Sequence, residues 1–263
     1  RAAAAPRSPP AGGGPRPRAG AGRRRGRAPP APDAGTSRAG GEARHGLPRL
    51  RLDHVLVAVP GLEAAARDYL TRLGLKALPG GRHPGAGTAN MIVPAGDAYI
   101  ELITVVDQEE AARVPRSARV ARALAGGRMF AGWAVRCPDL DAERRRLAAL
   151  GWELPKPLPG SRRRPDGSVL RWRVQETQAG EGEAELPFLI EWGPAQHPSA
   201  SDVVHPRGRL ELGRLTVGSP RPHACADALG RLLGDAVDYE IATAPFPGLL
   251  QVRLEGDVSG TIP

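Results

Sequence analysis

The stretch Leu52-Asp-His-Val-Leu-Val-Ala-Val-Pro-Gly-Leu-Glu-Ala-Ala-Ala-Arg-Asp-Tyr-Leu-Thr-Arg-Leu-Gly-Leu75 decides how this chain folds. Leu52 to Val59 alternates well enough for a β-strand and is stopped by Pro60, which cannot donate to a ladder. Leu62, Ala65, Ala66, Tyr69, Leu70 and Leu73 then recur at helical spacing, and Gly74 closes the helix. Further on, Leu75 to Leu78, Asn90 to Val93 and Ala98 to Val105 read as three strands. The turn-rich run GGRHPGAG (residues 80–87) separates the first two, and a Gly96-Asp97 turn precedes the last. The order is strand, helix and three strands.

The same order returns after a linking helix around Gln108 to Leu124. Gly132-Trp-Ala-Val-Arg-Cys137 ends at Pro138, and Leu140, Leu147 and Leu150 mark a helix closed by Gly151. Strands are then expected at Trp152 to Leu154, Val169 to Gln175 and Pro187 to Trp192. Aligning the two prolines sets His54 opposite Gly132, and Tyr99-Ile-Glu-Leu102 is matched with Leu189-Ile-Glu-Trp192. A partial third copy follows. Leu215-Thr-Val-Gly218 leads into a helical pattern of Ala226, Leu229, Leu232 and Leu233, and strand candidates Val237 to Ala242 and Leu249 to Leu254 flank the Pro245-Phe-Pro-Gly248 turn. This half unit is expected to pack on the duplicated core, extending one sheet and covering an edge.

The predicted class is α+β, with paired βαβββ units forming an open, barrel-like mixed sheet with flanking helices, plus a C-terminal extra half unit. The domains expected are a disordered Arg/Ala/Pro/Gly-rich tail over residues 1–50, the duplicated unit over 51–198, and the extra half unit over 199–263.

Two carboxylates stand where a strand should be apolar. Glu101 and Glu191 each lie near a strand end among Ile, Leu, Phe and Trp, and an ionised carboxylate taken out of water needs a partner. With a period of two, Tyr99, Glu101 and Ile103 share a face, as do Leu189 and Glu191, and His54 shares one with Leu56 and Ala58. Units pairing face to face would bring His54, Glu101 and Glu191 together as a site for a divalent ion, with positions open for water or a chelating substrate. The opposing reading is structural: a histidine satisfied by a hydrogen bond and glutamates half exposed or paired with arginine.

LDHVLVAVPGLEAAARDYLTRLGL (52–75), HPGAGTAN (83–90), YIELI (99–103) and FLIEWGPAQHP (188–198) together resemble the glyoxalase-like domain family of the vicinal oxygen chelate superfamily. The resemblance covers residues 52 to about 198. It implies an eight-stranded barrel-like sheet and one metal ligand from the first and fourth strand of each unit. His54, Glu101 and Glu191 match three of these positions; the fourth falls on Gly132 or Trp133, neither of which can ligate. A metal site (Zn, Ni, Mn or Fe) would thus have three protein ligands, with Glu101 or Glu191 also serving as catalytic proton shuttle. His83, Thr88 and Asn90 offer polar groups to a substrate, and Trp192 and His197 would stand at the pocket mouth. The expected activity is that of a lyase or isomerase on a small molecule with neighbouring oxygens. The alternatives are a metal-free small-molecule binding or sequestering protein and, if the pocket is closed, a structural or partner-binding module.

Composition narrows the rest. The formal charge is +9, but the first 50 residues hold eleven Arg against one Asp and one Glu, and the remainder balances 26 basic with 26 acidic residues. No specific nucleic-acid partner is expected from so even a distribution. No apolar run follows Arg23, Arg24 and Arg25 as in a signal peptide, and no window of about 18 apolar residues could span a membrane, so a cytoplasmic protein is expected, with a homodimer within reach of the fold. Cys137 and Cys225 read as small core residues. No phosphate-binding glycine loop opens a helix after a buried strand, and no G-x-S-x-G elbow is present, which disfavours kinase and hydrolase chemistry.

Overall fold

The computed structural model describes residues 50–164, 166–177, 186–194, 197–257 and 259–263. The expected tail over residues 1–50 lies outside them except for Leu50. The first unit runs β1 (Arg51–Ala58), α1 (Leu62–Leu73), β2 (Leu78–His83), β3 (Thr88–Ala95) and β4 (Ala98–Val105). Two short helices follow, α2 (Gln108–Ala112) and α3 (Pro115–Ala125), where the sequence reading expected one. Val114 is extended and Pro115 opens the new helix: a proline drives its predecessor out of the α region and fits the first helical position. The second unit is β5 (Phe130–Arg136), α4 (Leu140–Ala149), β6 (Leu158–Arg163), β7 (Val169–Gln175) and β8 (Phe188–Trp192).

These strands form one eight-stranded sheet in the order β2-β3-β4-β1-β5-β8-β7-β6. The order is symmetric about the β1–β5 pair, as two copies of one unit require. β1 runs parallel to β4, β5 parallel to β8, and the two central strands are antiparallel to each other. The sheet curls until its ends approach: Arg162 Nη1 on β6 donates to the Gly80 carbonyl on β2, and a Cβ at Gly81 would lie 2.9 Å from the Arg163 carbonyl oxygen. The predicted barrel-like α+β class is what the chain adopts.

The second strand of each unit corrects the sequence reading. Both lie later than the expected Leu75 to Leu78 and Trp152 to Leu154, in Leu78-Pro-Gly-Gly-Arg-His83 and Leu158-Pro-Gly-Ser-Arg-Arg163. Glycines occupy these strands because partner side chains fill the space, and the first of them, Gly80, falls in the run that the sequence reading takes as a turn. A Cβ at Gly80 would lie 2.0 Å from Asn90 Oδ1, and one at Gly160 2.2 Å from Trp172 Nε1. The shared Leu-Pro-Gly pattern was the available signal.

Alternation sorts β1 cleanly. Val55 and Val57 are buried on the outer face with Val93, Ile100, Leu102, Trp133 and Leu189, while Leu56 and Ala58 join Ile103, Ala134, Phe188 and Ile190 on the inner face. Val120 and Ala123 of α3 pack into that inner cluster and close part of the cup.

The remaining chain forms β9 (Leu210–Ser219), α5 (Pro222–Leu233), β10 (Tyr239–Thr243), β11 (Gly248–Gly256) and β12 (Gly260–Ile262). It repeats the βαβββ order along the chain, but it does not extend the first sheet, as expected above, and its strands pair in a different order. β10 lies directly beside and parallel to β9, giving a separate four-stranded sheet β10-β9-β11-β12. Leu215, Val217, Leu229, Val252 and Leu254 share one core with the outer face of the first sheet. Apolar area on that face is therefore covered by a second layer, not by edge pairing.

Because the core is shared, Leu254→Ala in β11, 1% exposed, should lower stability by about 2 to 5 kcal/mol. All four tryptophans lie in the first two units, so urea midpoints from tryptophan fluorescence should fall together with those from circular dichroism. A fluorescence midpoint left at the wild-type value would show that the second sheet unfolds on its own.

Candidate functional site

The inner face of the eight-stranded sheet surrounds a cavity of about 50 Å³. His54 comes from β1, His83 from β2, Thr88 and Asn90 from β3, Tyr99 and Glu101 from β4, Trp172 from β7 and Trp192 from β8. Each side chain is inward because it occupies the alternate position of its strand. β2 needs one adjustment: the ladder shifts between Pro79 and Gly81, which turns His83 inward, whereas unshifted β6 turns Arg162 inward.

Glu101 is 6% exposed. Asn90 Nδ2 donates to its Oε1 at 2.6 Å, His54 Nε2 stands 3.4 Å from its Oε2, and His83 Nε2 stands 3.9 Å from Oε1. His83 also bonds through Nδ1 to the Thr88 hydroxyl at 2.9 Å. Burial pushes the His83 imidazole down to about 4, against the pull of Glu101, so this ring is neutral at pH 7.

Behind His54 lies a group that sequence reasoning missed. The ladder between β1 and β5 slips at Asp53, since Leu52 faces Val135 and His54 faces Ala134. The bulge puts the Asp53 carboxylate, 0% exposed, within reach of four donors. His54 Nδ1 lies 2.6 Å from Oδ1; Arg136 Nε, Trp192 Nε1 and His197 Nε2 lie 2.9, 2.9 and 3.0 Å from Oδ2. Burial alone would raise this carboxyl, but hydrogen bonds from His197 and His54 outweigh it and hold the group well below the usual carboxylate range. An ionised carboxylate only accepts, so Nδ1 of His54 carries a proton, and Nε2 is the ring nitrogen that faces Glu101. Tyr99 stacks on the His54 ring at 4.5 Å and fixes its plane.

Of the residues picked out from sequence, His54, His83, Thr88, Asn90, Glu101 and Trp192 line this cavity. His197 joins the Asp53 cluster and meets the Trp192 ring edge-on at 5.3 Å, without lining the cavity.

Glu191 is not brought there. Its carboxylate accepts from Arg173 Nε at 2.6 Å and from the Leu140 backbone N–H, at the start of α4, at 3.3 Å. The reason is register. β1 and β5 are related by the pairs His54 with Ala134 and Leu56 with Gly132, which matches His54 with Gly132 as the prolines indicated. Leu56 then stands beside Glu101, and its counterpart Ala134 stands beside Phe188. The counterpart of Glu101 is therefore Phe188, three residues before Glu191, and an odd shift turns a strand residue to the opposite face. The role of Glu191 as metal ligand or catalytic group in this cavity is accordingly withdrawn.

The residues fit a metal poorly. Glu191 lies on the opposite face, Phe188 stands at the counterpart of Glu101, and Gly132, at the counterpart of His54, has no side chain to ligate. Among the described residues no group of three His, Cys, Asp or Glu side chains is arranged to hold a metal ion.

The glyoxalase-like domain model matches residues 52–233. The chain belongs to this family. Among solved structures, a hypothetical protein from Staphylococcus aureus superposes on this glyoxalase-like chain with a TM-score of 0.63 at 15% identity, over 76% of this chain and 88% of that one. A methylmalonyl-CoA epimerase from Mycobacterium tuberculosis is 26% identical, with a TM-score of 0.41, over 60% of this chain and 99% of that one. A Streptomyces coelicolor methylmalonyl-CoA epimerase bound to 2-nitronate-propionyl-CoA is 18% identical, with a TM-score of 0.40, over 54% and 96%. No curated protein matches the chain. Among the described residues no helix is long and apolar enough to cross a membrane.

Asp53→Asn should cost on the order of 3 kcal/mol at pH 7, because Arg136 loses its counter-charge and one of the two histidines, which sit on different carboxylate oxygens, meets an amide N–H in place of an acceptor. The folded carboxyl is held low, so its contribution is complete above the unfolded value of about 3.9 and is lost as pH falls below it. The gap between wild type and mutant should stay constant from pH 8 to 5 and close in more acidic solution. A mutant matching the wild type at pH 7 would remove Asp53 from its organising role.

Proposed function

We propose that this protein is an isomerase or lyase that moves a proton on a small molecule, with Glu101 as the acid–base group and His54 as its partner. The observation that carries the reading is the 3.4 Å approach of His54 Nε2 to the buried Glu101 carboxylate at the wall of a cavity. Buried acid–base pairs of this kind are where proton transfer is organised.

In this reading, a C–H bond next to a carbonyl gives its proton to Glu101, and the electron pair left behind is held as an enolate. His54 Nε2 receives the proton from Glu101, and the imidazolium that forms is stabilised by Asp53, its Nδ1 partner at 2.6 Å. Returning the proton to a different carbon, or to the other face of the same carbon, isomerises the substrate. If the electron pair instead expels a group from the neighbouring carbon, the outcome is elimination. His83, Thr88 and Asn90 would position the substrate's oxygens, with Trp172 and Trp192 as the aromatic wall. Two cysteines, Cys137 and Cys225, make no disulfide framework, which suits the cytoplasm.

The test is solvent exchange in D2O. Wild-type protein should wash deuterium into at least one member of a panel of three- to five-carbon aldehydes, ketones and 2-oxo acids, read by loss of the C–H proton signal. Glu101→Gln should slow that exchange by about 100-fold or more, and His54→Gln by about tenfold or more. Exchange insensitive to Glu101→Gln would refute the assignment. Saturable binding without exchange of any panel member would move the function to sequestration of a small molecule.

A further inference from the structure

The charges around the cavity do not balance. Arg162 is 5% exposed, and its one hydrogen bond among the described residues is to the neutral carbonyl of Gly80. Arg116, at the start of α3, has its Nη1 buried without a hydrogen-bond partner. The nearest acid to it, Glu176 Oε1, stands 3.9 Å away, and Glu176 already takes Arg119 Nη2 at 2.9 Å on its other oxygen. Among the described residues, two guanidinium groups therefore line the cavity together with a single carboxylate, that of Glu101.

A buried cation without a counter-charge is costly, and a guanidinium fork is shaped to grip a carboxylate through two parallel bonds. The excess is one positive charge, so the complementary ligand carries one negative charge.

We propose that the cavity recognises a small monocarboxylate, held through its anionic group by Arg116 and Arg162 with the rest of the molecule turned toward Glu101. This rests on the reading above only in taking the cavity as the ligand site; it requires no proton transfer. The confined volume of about 50 Å³ restricts the buried head group to a few atoms, and the apolar side chains of Leu56, Ile103, Val120 and Phe188 complete the wall. A dianion would leave one negative charge uncompensated beside Glu101, so the site discriminates by charge as well as by size.

The proposal is tested by binding, read from amide chemical-shift titrations of the full chain at constant ionic strength and pH 7. The probes are propanoate and 2-hydroxypropanoate, their neutral amides, the dianion malonate, and inorganic phosphate. At least one monocarboxylate should bind about tenfold or more tightly than its amide and than malonate or phosphate, with the shifts centred on α3, β4 and β6. Arg116→Gln and Arg162→Gln should each weaken it about tenfold or more, and Arg173→Gln, on the outer face, should leave it within about twofold. Glu101→Gln should tighten it, since the substitution removes the negative charge next to the bound anion; a merely structural role for the arginines would not produce that gain. If Arg162→Gln does not fold, Arg162→Lys and Arg116→Gln still decide the question. Amides bound as well as acids, phosphate or malonate preferred, no monocarboxylate bound at about 50 mM, or affinity unchanged in the Arg116 and Arg162 variants would each overturn the proposal. Because no turnover is measured, anion binding can hold where deuterium exchange fails, and the reverse.

Discussion

A carboxylate with no exposed surface organises the site. Asp53 is held in its ionised form by His54, Arg136, Trp192 and His197, and these donors come from β1, β5, β8 and the segment after β8. Through it the central antiparallel pair, the end of the last strand and the histidine facing the cavity share one charge. Such a cluster is stable only when complete, because each donor removed leaves a buried group unsatisfied. The orientation of His54 toward Glu101 is thus a consequence of how the two units are joined and not a local property of β1.

The joining itself was largely legible. Period-two apolar strands, helices closed by Gly74 and Gly151, and prolines after β1 and β5 were enough to find two copies of one unit, because these features are local and set by backbone sterics. The glycine-rich second strands were not, since Gly80 and Gly160 are strand residues for a reason only tertiary structure reveals: the Asn90 and Trp172 side chains occupy the space where a Cβ would be. The C-terminal segment was read as strands and a helix, yet its layer could not be foreseen, because the same apolar alternation serves edge pairing and face stacking equally.

The site was legible on the side of the first unit and misread on the other. Tyr-Ile-Glu-Leu and Leu-Ile-Glu-Trp look equivalent as strings, but the ladder matches Glu101 with Phe188 and leaves Glu191 facing Arg173. String similarity carries no register, and an odd slip exchanges the faces of a strand. The duplicated frame has therefore kept its polar inner positions mainly in one copy. His54 and Glu101 correspond to Gly132 and Phe188, and the second copy contributes Arg162, Trp172 and an apolar wall. Asp53 was missed because a bulge, invisible in the sequence, turns a residue that strict alternation would have sent elsewhere; its counterpart in the second copy is Ala131. That asymmetry supplies an oriented histidine and a buried carboxylate in one half and cationic groups from the other half and from α3, as proton transfer on an anionic small molecule would use them.

The most direct measurement is the tautomer of His54 in ¹⁵N-labelled protein at neutral pH, from two-bond couplings between ring nitrogens and ring protons. The account requires Nδ1 of the wild-type ring to carry a proton held by Asp53, and that proton to be lost from Nδ1 in Asp53→Asn. A wild-type ring without a proton on Nδ1, or an Nδ1 proton unchanged by the mutation, would contradict it.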